Sequence, residues 1–166
     1  MTKARPADQT KDKDKHAIKV ISDNRRARHE YELIEVLEAG IELRGTEVKS
    51  LRQGRVSLQD SFGRIEEGEL WLYNCHISPY DHGNRFNHEE LRKRKLLMHH
   101  RQILKLKSAI QEKGLTLIPL KLFFKGSLAK VDIALAKGKQ LYDKRQTIAK
   151  RDSKRQIERI MKQTSR

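Results

Sequence analysis

The apolar residues of this chain come in short sets that repeat every second residue and stop at single glycines. No other feature restricts the fold as much. Val131, Ile133 and Leu135 alternate with Asp132, Ala134 and Ala136. Ile41 and Leu43 alternate with Glu42 and Arg44 and end at Gly45. The run Leu70-Trp71-Leu72-Tyr73-Asn74-Cys75 follows the turn-like Glu66-Glu67-Gly68-Glu69. A period of two places one set of side chains on one face of a strand. Leu120, Leu122 and Phe124 form a further set after Pro119, whose missing N–H predicts an edge strand or an irregular start. The stretch from Tyr31 to Leu37 fits both strand and helix periods in part. Two helices are expected. One runs from Glu47 to Gln53, with Thr46 as its N-cap and Gly54 beyond its end. The other runs from about His99 to Lys113, with Ile103, Leu106 and Ile110 on one face and Gly114 after it. Many short antiparallel strands with few helices predict a mainly β fold, a small closed or nearly closed barrel that leaves no free sheet edge.

Charge divides the chain differently. The net charge is +15 over 166 residues, and residues 137–166 alone contribute +8, against +3 for residues 31–136. A near-neutral body between basic ends suits a polyanionic partner, above all phosphate backbone, because each Lys or Arg contact releases condensed counterions. Residues 1–20 have no periodic apolar positions and are expected to form a flexible extension. Residues 21–136 are the expected body and 137–166 the basic tail. In the tail, Ile157, Ile160 and Met161 share a helical face too thin to hold a helix alone, so helix is expected on binding. Hydrophobic residues make up 36%, enough for one modest core. The single Cys75 excludes an intrachain disulfide and a Cys-rich metal site. No apolar run reaches membrane-spanning length, and no apolar segment follows the basic N-terminus, so a cytoplasmic protein without membrane contact is expected.

The residue types give little support to catalysis. The seven histidines fall in no zinc-protease spacing, the glycines form no phosphate cradle, and no serine stands in a nucleophile elbow. No catalytic residue, metal or cofactor is expected. Phe62, Trp71 and Tyr73 could form a base-stacking platform, but their apolar neighbours favour a place in the core. Taken alone, these residues leave a ribosomal or assembly protein, and an enzyme acting on RNA, as open readings.

A series of motifs in order carries a resemblance. Asn24-Arg25-Arg26-Ala27-Arg28-His29-Glu30-Tyr31 and Gly45-Thr46-Glu47-Val48-Lys49-Ser50-Leu51-Arg52 come first. Arg92-Lys93-Arg94-Lys95-Leu96-Leu97, Lys130-Val131, Ala136-Lys137-Gly138-Lys139, Asp143-Lys144-Arg145 and Arg159-Ile160-Met161-Lys162 follow. From about residue 18 to its end the chain resembles the SsrA-binding protein family, small protein B. The resemblance implies an OB-fold-like antiparallel barrel with added α-helices and a basic C-terminal tail. It implies a non-catalytic, monomeric bacterial protein that binds the tRNA-like domain of transfer-messenger RNA (tmRNA) and delivers it to stalled ribosomes. Elongation factor Tu would join through the delivery complex. The RNA-binding positions it implies are Asn24, Arg25, Arg26, Arg28, Glu38, Arg92, Arg94, Leu97 and Lys130. Plainer roles compete: a helix cap for Asn24, solvated charge for Glu38 and Lys130, core packing for Leu97. In the tail, the small-subunit decoding region and mRNA channel would meet Lys137, Lys139, Tyr142, Asp143, Lys144, Arg145, Lys150, Arg151, Lys154, Arg155, Ile160, Met161 and Lys162. Two departures stand out. Tyr142 occupies a place where the family often has His, and Asn87-His88-Glu89-Glu90-Leu91 lacks a common Pro.

Overall fold

The structure is a computed structural model, and it describes residues 18–83, 85, 87–140, 148 and 152–161. Among the described residues there are nine strands: β1 (Ile18–Asp23), β2 (Tyr31–Ile41), β3 (Val56–Ser57), β4 (Phe62–Glu66), β5 (Glu69–Tyr73), β6 (His76–Ile77), β7 (Arg94–Leu97), β8 (Thr116–Lys125) and β9 (Leu128–Gly138). Three helices lie between them: α1 (Arg25–Glu30), α2 (Gly45–Arg52) and α3 (His100–Lys113). A fourth, α4, covers residues 152–161 and is exposed throughout.

Seven strands form one antiparallel sheet in the order β1-β8-β4-β5-β7-β2-β9, and β9 pairs back onto β8. The ring β8-β4-β5-β7-β2-β9 is therefore closed, with β1 attached outside along β8. Closure follows from the alternation: Leu70, Leu72, Leu117, Leu122, Val131 and Ile133 all turn inward and are fully buried. The expected mainly β barrel is what the chain forms. α3 packs Ile103 and Leu106 onto this core and stops at Gly114, whose φ of 59° is left-handed.

Two neighbouring strands, β8 and β9, are buried on both faces. Ala134 and Ala136 of β9 join Ala27, Ile118 and Leu120 in a second cluster beneath α1. Small alanines let this short helix sit close to the barrel wall. Where β4 crosses the ring, a Cβ on Gly63 would stand 2.7 Å from Ile133 Cδ1 and 2.9 Å from Leu117 Cβ, so only glycine fits. The β4–β5 turn is Glu67-Gly68 with both residues left-handed, at φ 51° and 81°, as a two-residue hairpin needs.

Several expectations are corrected. The Ile41–Leu43 alternation is not a strand of its own: β2 runs from Tyr31 and ends at Ile41, and Leu43 packs against the core from a loop. Thr46 does not cap α2, which begins a residue earlier at Gly45. The first turn is closed by Glu47, whose Oε2 accepts from the Arg44 N–H at 2.6 Å. Of the two readings of Pro119 the edge is set aside, because β8 pairs on both sides, and the irregular start holds: the β8–β9 register slips between Pro119 and Lys121. β9 does not stop at 136. Lys137 and Gly138 pair with Glu32 and Tyr31, and Lys139 N–H donates to Glu30 O at 2.9 Å, so the body extends past the charge break. Trp71 and Tyr73 lie outside the core: neighbours Leu70 and Leu72 take the inward positions, which turns the two rings outward.

Candidate nucleic-acid interface

β2 and β9 bring two of the expected RNA contacts together. Glu38 stands opposite Asp132 and Gly40 opposite Lys130, and residues two apart share a face. Lys130 Nζ donates to Glu38 Oε1, and Lys125 Nζ, from the end of β8, reaches Oε2 at 3.5 Å. The Lys130 hydrogen bond, helped by the charges of both lysines, holds the Glu38 carboxyl below its ordinary pKa despite partial burial. Glu38 is thus an ionised, acceptor-only group on an exposed surface. Opposite it, Asp132 is displaced upward, first by burial and further by the Glu38 charge, with Lys121 and Arg28 opposing.

Leu97 belongs to the same surface. It pairs with Gly40 across β2–β7 and remains 52% exposed, which sets aside the core reading. A Cβ on Gly40 would lie 3.2 Å from Leu97 Cβ, so the glycine lets the leucine lie flat against β2. Leu97, Leu128, Phe124 and Lys130 line an open depression of about 280 Å³. An apolar floor, one held ammonium and one ionised acceptor lie side by side here. That combination suits a nucleotide: a base against the leucines, a phosphate on Lys130, and a 2′-OH or base N–H donating to Glu38. Sequence reasoning missed Lys125 and Leu128. Gly126-Ser127 between two strand-period runs was the available signal, because a two-residue turn there makes Lys125 and Leu128 partners at the hairpin tip.

Asn24 serves a different purpose. Its Oδ1 accepts from Ala27 N–H at 3.1 Å as the N-cap of α1. Its Nδ2 donates to Leu58 O at 3.1 Å and Pro119 O at 3.2 Å. Both amide protons are committed within the protein, leaving one lone pair of Oδ1 for anything else. Around it, Arg26, Glu30, Asp60, Phe62 and Ile118 help to line an open pocket of about 340 Å³. Arg26 pairs with Glu30 at 2.7 Å and Arg28 with Asp23 at 3.1 Å, whereas Arg25 is exposed and makes no ion pair among the described residues.

One arginine of the expected set is corrected, and a second, half-buried, is tied to the same partner. Arg94 is fully buried: its Nε donates to Glu47 Oε1 at 2.8 Å, and its other nitrogens donate to the carbonyls of Cys75, Arg92 and Glu90. Arg92 binds the same carboxylate, through Nε to Oε1 at 2.8 Å and through Nη2 to Oε2. A fully buried guanidinium with every nitrogen bonded inside the protein cannot reach a phosphate. Lys139 is likewise tied to the body, donating from Nζ to Arg28 O at 3.3 Å. Lys137 is an exposed residue of β9, and Lys154, Arg155, Ile160 and Met161 are exposed on α4. Tyr142, Asp143, Lys144, Arg145, Lys150, Arg151 and Lys162 lie outside the described residues.

The family model described as SmpB protein matches residues 21–163. The chain belongs to the SmpB family. Two similar relatives are both named SsrA-binding protein. The one from Pelotomaculum thermopropionicum is 61% identical over 150 residues, covering 90% of this chain and 98% of the relative. The one from Carboxydothermus hydrogenoformans is 62% identical over 144 residues, covering 87% and 97%. A solved structure described as "tmRNA-SmpB: a journey to the center of the bacterial ribosome" superposes with a TM-score of 0.62 at 51% identity, over 74% of this chain and 85% of that one. The span matched by the SmpB model contains the Glu38–Lys130 face, the Asn24 cap and α4.

Proposed function

We propose that this chain binds the tRNA-like domain of tmRNA and delivers it to stalled bacterial ribosomes as a non-catalytic RNA-binding protein. The observation that carries the reading is the ionised Glu38 held by Lys130 and Lys125 beside the Leu97 depression. A generic polyanion site has no use for a carboxylate, which repels phosphate. A site for a folded RNA does, because the carboxylate accepts from a 2′-OH or a base edge. Lys130 has three donors, so it can keep Glu38 and still meet a phosphate. Exposed Arg25, with Arg26 and Arg28, would add phosphate contacts at α1. The protein acts as a monomer in the cytoplasm and meets elongation factor Tu through the delivery complex. The segment beyond Gln140 is the ribosome-binding tail, with Tyr142 stacking on ribosomal RNA and the basic residues following the mRNA channel.

Binding of a tmRNA fragment containing the tRNA-like domain, measured at several salt concentrations, tests this reading. Glu38→Ala should weaken binding by about ten- to a hundredfold, since a hydrogen bond to a charged group is worth about 1.5–3 kcal/mol. Lys130→Ala should weaken it too and lower the salt slope by about one. Tighter binding by Glu38→Ala would show that only net charge matters and would remove the acceptor role.

A further inference from the structure

The barrel wall opposite Lys130 carries aromatic rings that the proposed function does not use. In the closed ring, β5 stands three strands from β9 in either direction, so the two strands face opposite ways. On β5 the inward places belong to Leu70 and Leu72, and Trp71 and Tyr73 point outward. Strand register then sets cations on both sides of the indole: Trp71 lies opposite Arg64 of β4 and Lys95 of β7. Lys93 Nζ sits 4.8 Å from the Trp71 ring centre and is held there by Glu66 at 3.2 Å. Beside this row, Phe62 and Tyr73 stack with ring centres 5.4 Å apart and planes 10° from parallel.

We propose that this face of β4, β5 and β7 is a second RNA-binding surface that stacks unpaired nucleotides of ribosomal RNA on Trp71. Rings alone would suit an apolar protein surface. Rings flanked by cations on both neighbouring strands suit bases linked by phosphates. Lys95 is held by Glu69, whereas Arg64 and Lys93 share the single Glu66; their side chains are 67% and 50% exposed and can turn from it toward a phosphate. The position selects the occupant. An RNA held on the β2–β9 face lies on the far side of the barrel, and a protein that carries one RNA to the ribosome presents its opposite wall to a second. This inference rests on the proposed function, which supplies the ribosome as that second partner.

Trp71 is the only tryptophan in the chain and reports on its own surroundings. The full chain is labelled with 5-hydroxytryptophan, which is excited apart from ribosomal tryptophans, and its quenching by acrylamide is followed. Adding the tmRNA fragment should leave the quenching unchanged, whereas adding ribosomal subunits should shield the indole. Ultraviolet crosslinking of that complex should join position 71 to nucleotides. Trp71→Ala should weaken subunit binding by about tenfold while tmRNA affinity stays within about twofold, and Trp71→Phe should recover most of the loss. Full quenching in a co-sedimenting complex, shielding by the tmRNA fragment alone, or a crosslink to a ribosomal protein would each overturn the proposal. If Trp71→Ala unfolds, the labelled wild-type chain still decides. Failure of the wild-type chain to bind the tmRNA fragment would instead count against the proposed function.

Discussion

Glu47 shows how much one carboxylate can organise. It is fully buried, accepts from the Arg44 N–H and from Arg92 and Arg94, and so joins α2 to β7. Burial alone would raise its pKa. The Arg92 hydrogen bond, the Arg44 N–H and the charge of Arg94 outweigh it, and the net displacement is downward. Removing the charge strands two guanidinium groups, one wholly buried, so Glu47→Gln should cost about 3–5 kcal/mol in a urea titration at neutral pH. The sign of the pH dependence follows from the lowered folded-state value. This stabilisation is present above the unfolded pKa of an ordinary glutamate and is lost as pH falls through the folded one. The wild-type urea midpoint should therefore fall across the acid range below about pH 5 more steeply than that of Glu47→Gln. A variant with the same acid slope as wild type would show that other carboxylates govern it. The basic run from Arg92 to Lys95 was legible as cations and not as partners. A charge count cannot show that Glu47, 45 residues away, is folded against two of them.

At the scale of elements, what the sequence revealed depended on how strong each periodicity was. α3 carries three apolar residues at helical spacing and a terminal glycine, and its ends were legible to within a residue. α1 has only Ala27 to bury and six residues in all, so no periodicity announced it. It exists because Asn24 caps it and because Ala134 and Ala136 leave room beneath it. The cap gives a sharp test. Aspartate is as good an N-cap as asparagine in an isolated helix. Here, however, Nδ2 also serves the Leu58 and Pro119 carbonyls. Asn24→Asp would set a carboxylate against two carbonyl oxygens, whereas Asn24→Ala leaves them merely unpaired. Both should lose about 2–3 kcal/mol in thermal or urea unfolding, with Asp no better than Ala. An Asp variant as stable as wild type would reduce Asn24 to a simple cap. For a related reason the sequence favoured the core over an outward platform for Trp71 and Tyr73: a continuous apolar run hides which alternate residue faces in. Only the pairing of β5 between β4 and β7 decides it.

At the scale of the whole molecule, the division into body and tail comes from pairing rather than charge. The composition changes at Lys137, yet β9 continues through Gly138 beside Tyr31, and Lys139 holds the Glu30 and Arg28 carbonyls at the end of α1. These bonds hold the chain to the body at least as far as Lys139, and two truncations test a boundary after Gln140 against the compositional one. A chain ending at Gln140 keeps every one of these bonds and should unfold at the same urea concentration as the full protein. A chain ending at Ala136 loses the last pairs of β2–β9 and both Lys139 bonds, and it places a chain-end carboxylate next to β2 residues that include Glu32 and Glu35. It should be less stable by about 1–3 kcal/mol, the usual cost of a few lost hydrogen bonds at a strand end. Function should separate at the same point. Ending at Gln140 should leave binding of the tRNA-like domain within about twofold, because Lys130 of the Glu38–Lys130 face lies near the start of β9, far from the cut. It should also abolish peptide tagging on stalled ribosomes, because α4 and the segment before it are gone. Equal stability of the two truncations would return the boundary to the charge break, and a large loss of RNA affinity at Gln140 would mean that the tail shares in holding the RNA.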